Sequence, residues 1–136
     1  MVYILNIETA TKNCSVSLSK NEETLVVKEL SEEQFSHAEK LHVFIKDVLC
    51  EANSSLSQLN AIAISKGPGS YTGLRIGVSA AKGLCYALNI PLIGVDTLAI
   101  LASRLSLKTG FIVPMIDARR MEVFTQVFDN DFKSLV

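Results

Sequence analysis

The stretch Ser65-Lys66-Gly67-Pro68-Gly69-Ser70-Tyr71-Thr72-Gly73-Leu74-Arg75-Ile76-Gly77 follows the apolar run 61–64 and leads into a long segment of small and apolar residues. Two glycines around a proline supply the backbone angles of a sharp turn. Ser70 or Thr72 can then cap a helix whose first turn holds Gly73 and Leu74. The segment therefore predicts strand, tight loop, helix, a unit that packs closely on a sheet. A helix start exposes free N–H groups, so a phosphate or a partner's carboxylate is the first ligand to consider.

The nucleotide fingerprints fail by counting. A Walker A loop needs Gly-Lys-Ser/Thr after four residues, whereas the count from Gly67 reaches Thr72 and the count from Gly69 reaches Leu74. A dinucleotide fingerprint on Gly67 and Gly69 would need its third glycine at Thr72. The serine elbow Gly-x-Ser-x-Gly does not fit around Ser70 either. His37 and His42 lie five apart on a helix, which puts them on different faces, so they are not a paired metal site.

Periodicity organises the rest of the chain. Residues 2–7 read as a buried strand, 14–18 as a half-buried strand with Cys14, Val16 and Leu18 on one side, and 24–30 as a third, together an antiparallel meander. Ser36-His37-Ala38-Glu39 matches a capping box, and Leu41, Phe44, Ile45, Val48, Leu49 and Ala52 follow at helical spacing, predicting helix one over 36–53. A strand at 61–65, helix two over 72–88 ending at Asn89, a strand at 91–95 and a helix capped by Asp96 or Thr97 and running to about residue 105 follow. Three antiparallel strands followed by alternating helices and strands is the order of a ribonuclease-H-like mixed sheet with flanking helices, an α/β fold. From Phe111 the pattern restarts with strands at 112–116 and 122–128 around the turn Asp117-Ala118-Arg119-Arg120. Residues 1–108 are thus read as lobe one and 109–136 as the beginning of a second, incomplete lobe.

Composition narrows the functional classes. A formal net charge of -1 over 136 residues gives no basic field for autonomous nucleic-acid binding. Three widely spaced cysteines among apolar neighbours suit a reducing compartment, and neither a signal peptide nor a membrane-length apolar run is present. Two places remain for function. One is the set Glu8, Thr9, Ser70, Thr72, Asp117 and Arg119, which could hold an anion or nucleotide at sheet edge, helix start and second-lobe turn. The other is helix two, where Gly73, Gly77 and Ala81 form a small-residue side that a partner helix could approach, while Ile76, Ala80, Leu84 and Leu88 provide an inward stripe.

Several of these segments together resemble one family: Ile4-Leu5-Asn6-Ile7-Glu8-Thr9-Ala10, His37-Ala38-Glu39, the loop 67–77, Gly94-Val95-Asp96-Thr97-Leu98 and Ile116-Asp117-Ala118-Arg119. The chain resembles the TsaB (YeaZ) family, once labelled M22-type glycoproteases, of the actin-like, sugar-kinase and Hsp70 superfamily with two ribonuclease-H-like lobes. The resemblance implies a cytoplasmic bacterial protein that helps make threonylcarbamoyladenosine beside the anticodon of tRNAs reading codons that begin with A. In that family the paralogue TsaD transfers the group, TsaE is the ATPase, and TsaB is a non-catalytic scaffold that touches tRNA only through the complex. It also implies an interface on the first two helices, used for a homodimer when alone and for TsaD in the complex. His37, Leu41, Gly73, Ile76, Gly77, Ala80, Ala81 and Leu84 are the candidates for it. No metal or cofactor is implied, beyond weak ATP and magnesium binding within the complex. TsaD holds its metal through two histidines separated by three residues, and here Leu41 stands where the second would follow His37. Glu8 and Ala10 replace the aspartate and serine common in the family's first strand. Family chains are longer, with more of lobe two and a returning C-terminal helix. The competing reading is an ATP- or metal-dependent phosphotransferase or metallopeptidase of the same fold.

Overall fold

The computed structural model describes residues 1–31 and 37–135, without the side chain of His37. The expected cap at Ser36 falls outside the described residues. The chain runs β1 (Tyr3–Glu8), β2 (Asn13–Lys20), β3 (Glu23–Ser31), α1 (His37–Glu51), a short 3-10 turn (Leu56–Gln58), β4 (Ala61–Ser65) and α2 (Tyr71–Leu88). It continues through β5 (Leu92–Val95), α3 (Thr97–Ala102), β6 (Phe111–Ile112), β7 (Met115–Arg119), β8 (Glu122–Thr125) and β9 (Phe128–Asp129).

The first five strands form one sheet in the order β3-β2-β1-β4-β5. β1, β2 and β3 pair antiparallel, while β4 lies parallel to both β1 and β5. This is the mixed ribonuclease-H-like sheet that the element order implies. Leu5 stands opposite both Leu18 and Ile62, so register aligns the apolar rows of three strands on one face. α1 and α2 cover that face. Leu41, Ile45, Val48 and Leu49 recur at helical spacing on the buried side of α1 and join Leu5, Val16, Leu18 and Ile62 in the main core. The opposite face of β1 and β2 is polar, and the Asn6 amide there donates to the Ser17 and Ser19 hydroxyls at 3.1 and 3.3 Å.

The helix signals act locally as read. Ser70 accepts from the Gly73 N–H at 3.2 Å, and Asn89 closes α2 in the left-handed conformation at φ 54°. Asp96 caps α3 through the N–H groups of Leu98 and Ala99. α3 stops at Ala102 rather than near residue 105, because the next backbone bonds tighten to three-residue turns where the chain leaves the core. The expected strand at 112–116 divides into β6 and β7 at Val113-Pro114, since proline has no N–H for the ladder. The strand at 122–128 likewise divides into β8 and β9. β7 and β8 form the expected hairpin, turned through Arg119, Arg120 and Met121 at positive φ.

Burial pushes the Cys14 and Cys85 thiols up, so both stay protonated and behave as core residues, whereas Cys50 is exposed. Among the described residues no helix is long and apolar enough to cross a membrane.

Candidate functional site

Two surfaces gather the residues singled out by sequence, and their geometry begins with the way α2 meets the sheet. Gly73, Gly77, Ala81 and Cys85 are the buried row of α2. A methyl group on Gly77 would overlap the Thr9 hydroxyl and approach Ile64 Cδ1 at 3.1 Å. Thr9, itself fully buried, donates through Oγ1 to the Gly73 carbonyl at 2.7 Å. The small residues thus serve close approach to the chain's own sheet, which corrects the expectation that they form a partner-facing side. Ala81 is buried in the same row, and Leu41 has no exposed surface. Gly73, Gly77, Ala81 and Leu41 are therefore unavailable as partner contacts in this fold. Ile76, Ala80 and Leu84 are half-buried on the flank of α2 and pack partly on the core.

The side of α2 that faces solvent carries Tyr71, Arg75, Ser79, Lys82 and Tyr86. Tyr71 is 75% exposed and Tyr86 91%, large aromatic surfaces with no burial of their own. The Arg75 guanidinium lies over the Tyr71 ring, 5.2 Å from its centre. The sequence holds this row at steps of four, four, three and four residues, a signal overshadowed by the small residues. On the Ile76, Ala80 and Leu84 flank of α2, away from this row, α1, residues 54–56 and Leu84 line a groove of about 340 Å³ with His42, Ile45, Leu49 and Cys50 among its walls.

The second surface is a cleft of about 730 Å³ between the β1–β2 turn, the start of α2 and the β7–β8 hairpin. It brings together Ser70, Thr72, Asp117 and Arg119, four of the anion or nucleotide candidates, and adds Lys12 and Phe124. Gly69 permits the approach: a methyl there would overlap the Ala10 carbonyl, which instead accepts from the Ser70 N–H at 2.7 Å. Asp117 Oδ1 accepts from the Arg119 N–H at 2.8 Å and holds the hairpin turn. Two candidates are elsewhere. Thr9 lies beneath α2, and the Glu8 carboxylate accepts from the Ala10 N–H at 2.9 Å and the Ser65 hydroxyl at 2.7 Å, bracing β1 to β4. Thr9 and Glu8 are thus not ligand-facing groups of the cleft, a correction to their placement in the set. Lys12 and Arg119 give the cleft cations for an anion. Among the described residues no three His, Cys, Asp or Glu side chains come together to hold a metal.

The model of the family described as "TsaD: tRNA N6-adenosine threonylcarbamoyltransferase" matches residues 27–135. The tRNA threonylcarbamoyladenosine biosynthesis protein TsaB of Escherichia coli K12 is 37% identical over 130 residues, covering 94% of this chain and 55% of that protein. The solved structure titled "YeaZ from Pseudomonas aeruginosa" superimposes with a TM-score of 0.86 at 35% identity, over 95% of this chain and 61% of that one. The chain therefore spans less than two thirds of the length of each of these relatives. Thermus thermophilus RuvC in complex with a Holliday junction substrate matches with a TM-score of 0.50 at 8% identity, a likeness of fold alone. With the match to residues 27–135 and the likeness to TsaB and YeaZ over nearly its whole length, the chain belongs to the threonylcarbamoyltransferase family and, within it, to the TsaB (YeaZ) proteins.

Proposed function

We propose that this chain takes part in making threonylcarbamoyladenosine in tRNA as a non-catalytic partner of a TsaD-like transferase. It pairs with that paralogue through the outer surface of α1 and α2, and with itself when alone. A TsaE-like ATPase joins the assembly, tRNA is met only through the complex, and the complex works in the cytoplasm without a resident cofactor on this chain. The observation that carries the non-catalytic role is the employment of Glu8. Its carboxylate, the acid at the end of the central strand, already accepts two hydrogen bonds that brace Ala10 and Ser65. Both bonds fall on Oε1, and a carboxylate held in place by its own fold in this way is a poorer ligand for a metal–nucleotide than a free one. Half-buried Ile76, Ala80 and Leu84, with the groove beside them, leave α2 apolar surface for a docking helix.

The test is reconstitution of tRNA modification from the TsaD-like and TsaE-like proteins of the same organism, with and without this chain. Modification is expected to require the chain, and the chain alone is expected to give no turnover. Turnover by the chain alone, or calorimetric binding of ATP with magnesium at about 1 μM or tighter, would return the cleft at Ser70, Thr72, Asp117 and Arg119 to an enzymatic role.

A further inference from the structure

We propose that the groove between α1 and α2 admits a helix of the transferase that carries a carboxylate, and that protonation of His42 on the groove wall strengthens the docking. The inference rests on the reading that α1 and α2 form the partner surface, and it names the chemistry and the regulation of that surface. Ile45 and Leu49, one turn apart on α1, and Leu84 of α2 give the groove apolar lining, and Leu56 closes one side of it. The exposed residues of the α1 wall are His42, Lys46 and Cys50. They stand four apart, so they follow one line along the helix for about 12 Å, the length of roughly two turns of a helix laid against it.

Charge is divided unevenly around α1. Asp47 and Glu51 lie toward β3, where Glu51 pairs with the Lys28 ammonium and Asp47 adds to its field. Among the described residues no aspartate or glutamate lines the groove, whereas His42 and Lys46 do. The charged groups on α1 nearest His42 are Glu39, three residues before it, and Lys46, four after it. Residues 54–56 and the Ile76, Ala80 and Leu84 flank of α2 add no titratable group. A helix seated in the groove takes Lys46 out of water on one side, and a carboxylate is the group that makes good the lost solvation. Histidine changes charge between about pH 5 and 8, so acidification sets a second cation one turn from the first. Glu39 competes for that charge only as an exposed pair, which is weak. Against a carboxylate the second cation attracts, and against a copy of the same wall it repels.

The experiment measures calorimetric binding of the full chain to the TsaD-like protein of the same organism at about pH 8 and about pH 5.5, with thermal unfolding of each variant as the check on its fold. Wild-type affinity is expected to rise about tenfold from the higher pH to the lower. H42Q is expected to keep the weaker affinity at both, and H42K the tighter one. K46Q is expected to weaken binding about threefold at both and to keep the pH dependence. Wild-type affinity indifferent to pH, or a pH dependence that H42Q retains, overturns this inference and leaves the proposed function standing. Tighter binding at the higher pH that H42Q levels assigns a cation to the partner and overturns it equally. Self-association that H42Q alters, with a heterodimer indifferent to H42Q, gives the groove to a second copy and also overturns it. Absence of binding between the wild-type chain and the transferase at both pH values overturns the proposed function, and the inference with it.

Discussion

The five-stranded sheet and the β6–β9 region are written in the same alphabet and end up with different interiors. In both, apolar residues alternate along strands bounded by turn signals. In the first, α1 and α2 cover the apolar face, and Leu5, Val16, Leu18, Leu41, Val48 and Ile62 have no exposed surface. In the second, Ile112 and Phe128 are buried with Leu98 and Ala102 of α3, while Phe111, Met115 and Val123 remain 65%, 59% and 49% exposed. Alternation makes a strand, but burial needs a layer laid across it. Among the described residues, α1 and α2 cover the whole apolar face of the first sheet, whereas the second region has only the short α3 packed against β6 and β9.

That difference can be broken or sharpened by substitution, beginning with the largest effect. Ile62→Ala, in β4 between the two helices, is expected to cost about 2–5 kcal/mol in denaturant unfolding. A loss below about 1 kcal/mol would mean that the main core is looser than its burial implies. Phe128→Ala in β9 is expected to cost less, about 1–3 kcal/mol, because its cluster is small and can collapse. Hydrogen exchange should then accelerate at β6 and β9 while the amides of β1, β2 and β4 keep their protection; equal acceleration everywhere would show that the two regions unfold as one. Val123→Ala, exposed on β8, is expected to stay within about 0.5 kcal/mol of the parent. A larger loss would reveal cover on the hairpin.

Local chemistry was legible in the sequence where one residue decides one bond. Ser70, Asn89 and Asp96 cap as their types and positions predict, and β4 lies where its apolar run lies. Orientation was harder. Gly73, Gly77 and Ala81 form one row at spacing four, and Ile76, Ala80 and Leu84 form another on the adjacent flank. Hydrophobicity favours the larger row as the buried one. The decision went the other way because Thr9 rises beneath the helix and leaves no room for a side chain at Gly77, a contact between residues far apart in sequence. The division at Pro114 was readable from proline's missing N–H. The cleft was only half readable: the loop at Ser70 and the turn at Asp117 were each visible, but the sheet that brings them together is tertiary. Glu8 was misplaced because nothing in the sequence shows that Ser65 and the Ala10 N–H will occupy its carboxylate.

The bonds under α2 also fix how motion can pass through the molecule. Thr9 holds the Gly73 carbonyl and the Ala10 carbonyl holds the Ser70 N–H, so the first turn of α2 is pinned to the β1–β2 turn at two points. The solvent-facing row of α2 begins at that pinned turn with Tyr71, which also lines the cleft. A partner that tilts α2 or draws it along its axis must carry residues 9 and 10 with it. The first turn of α2 and the cleft wall are therefore tied together through the same two bonds.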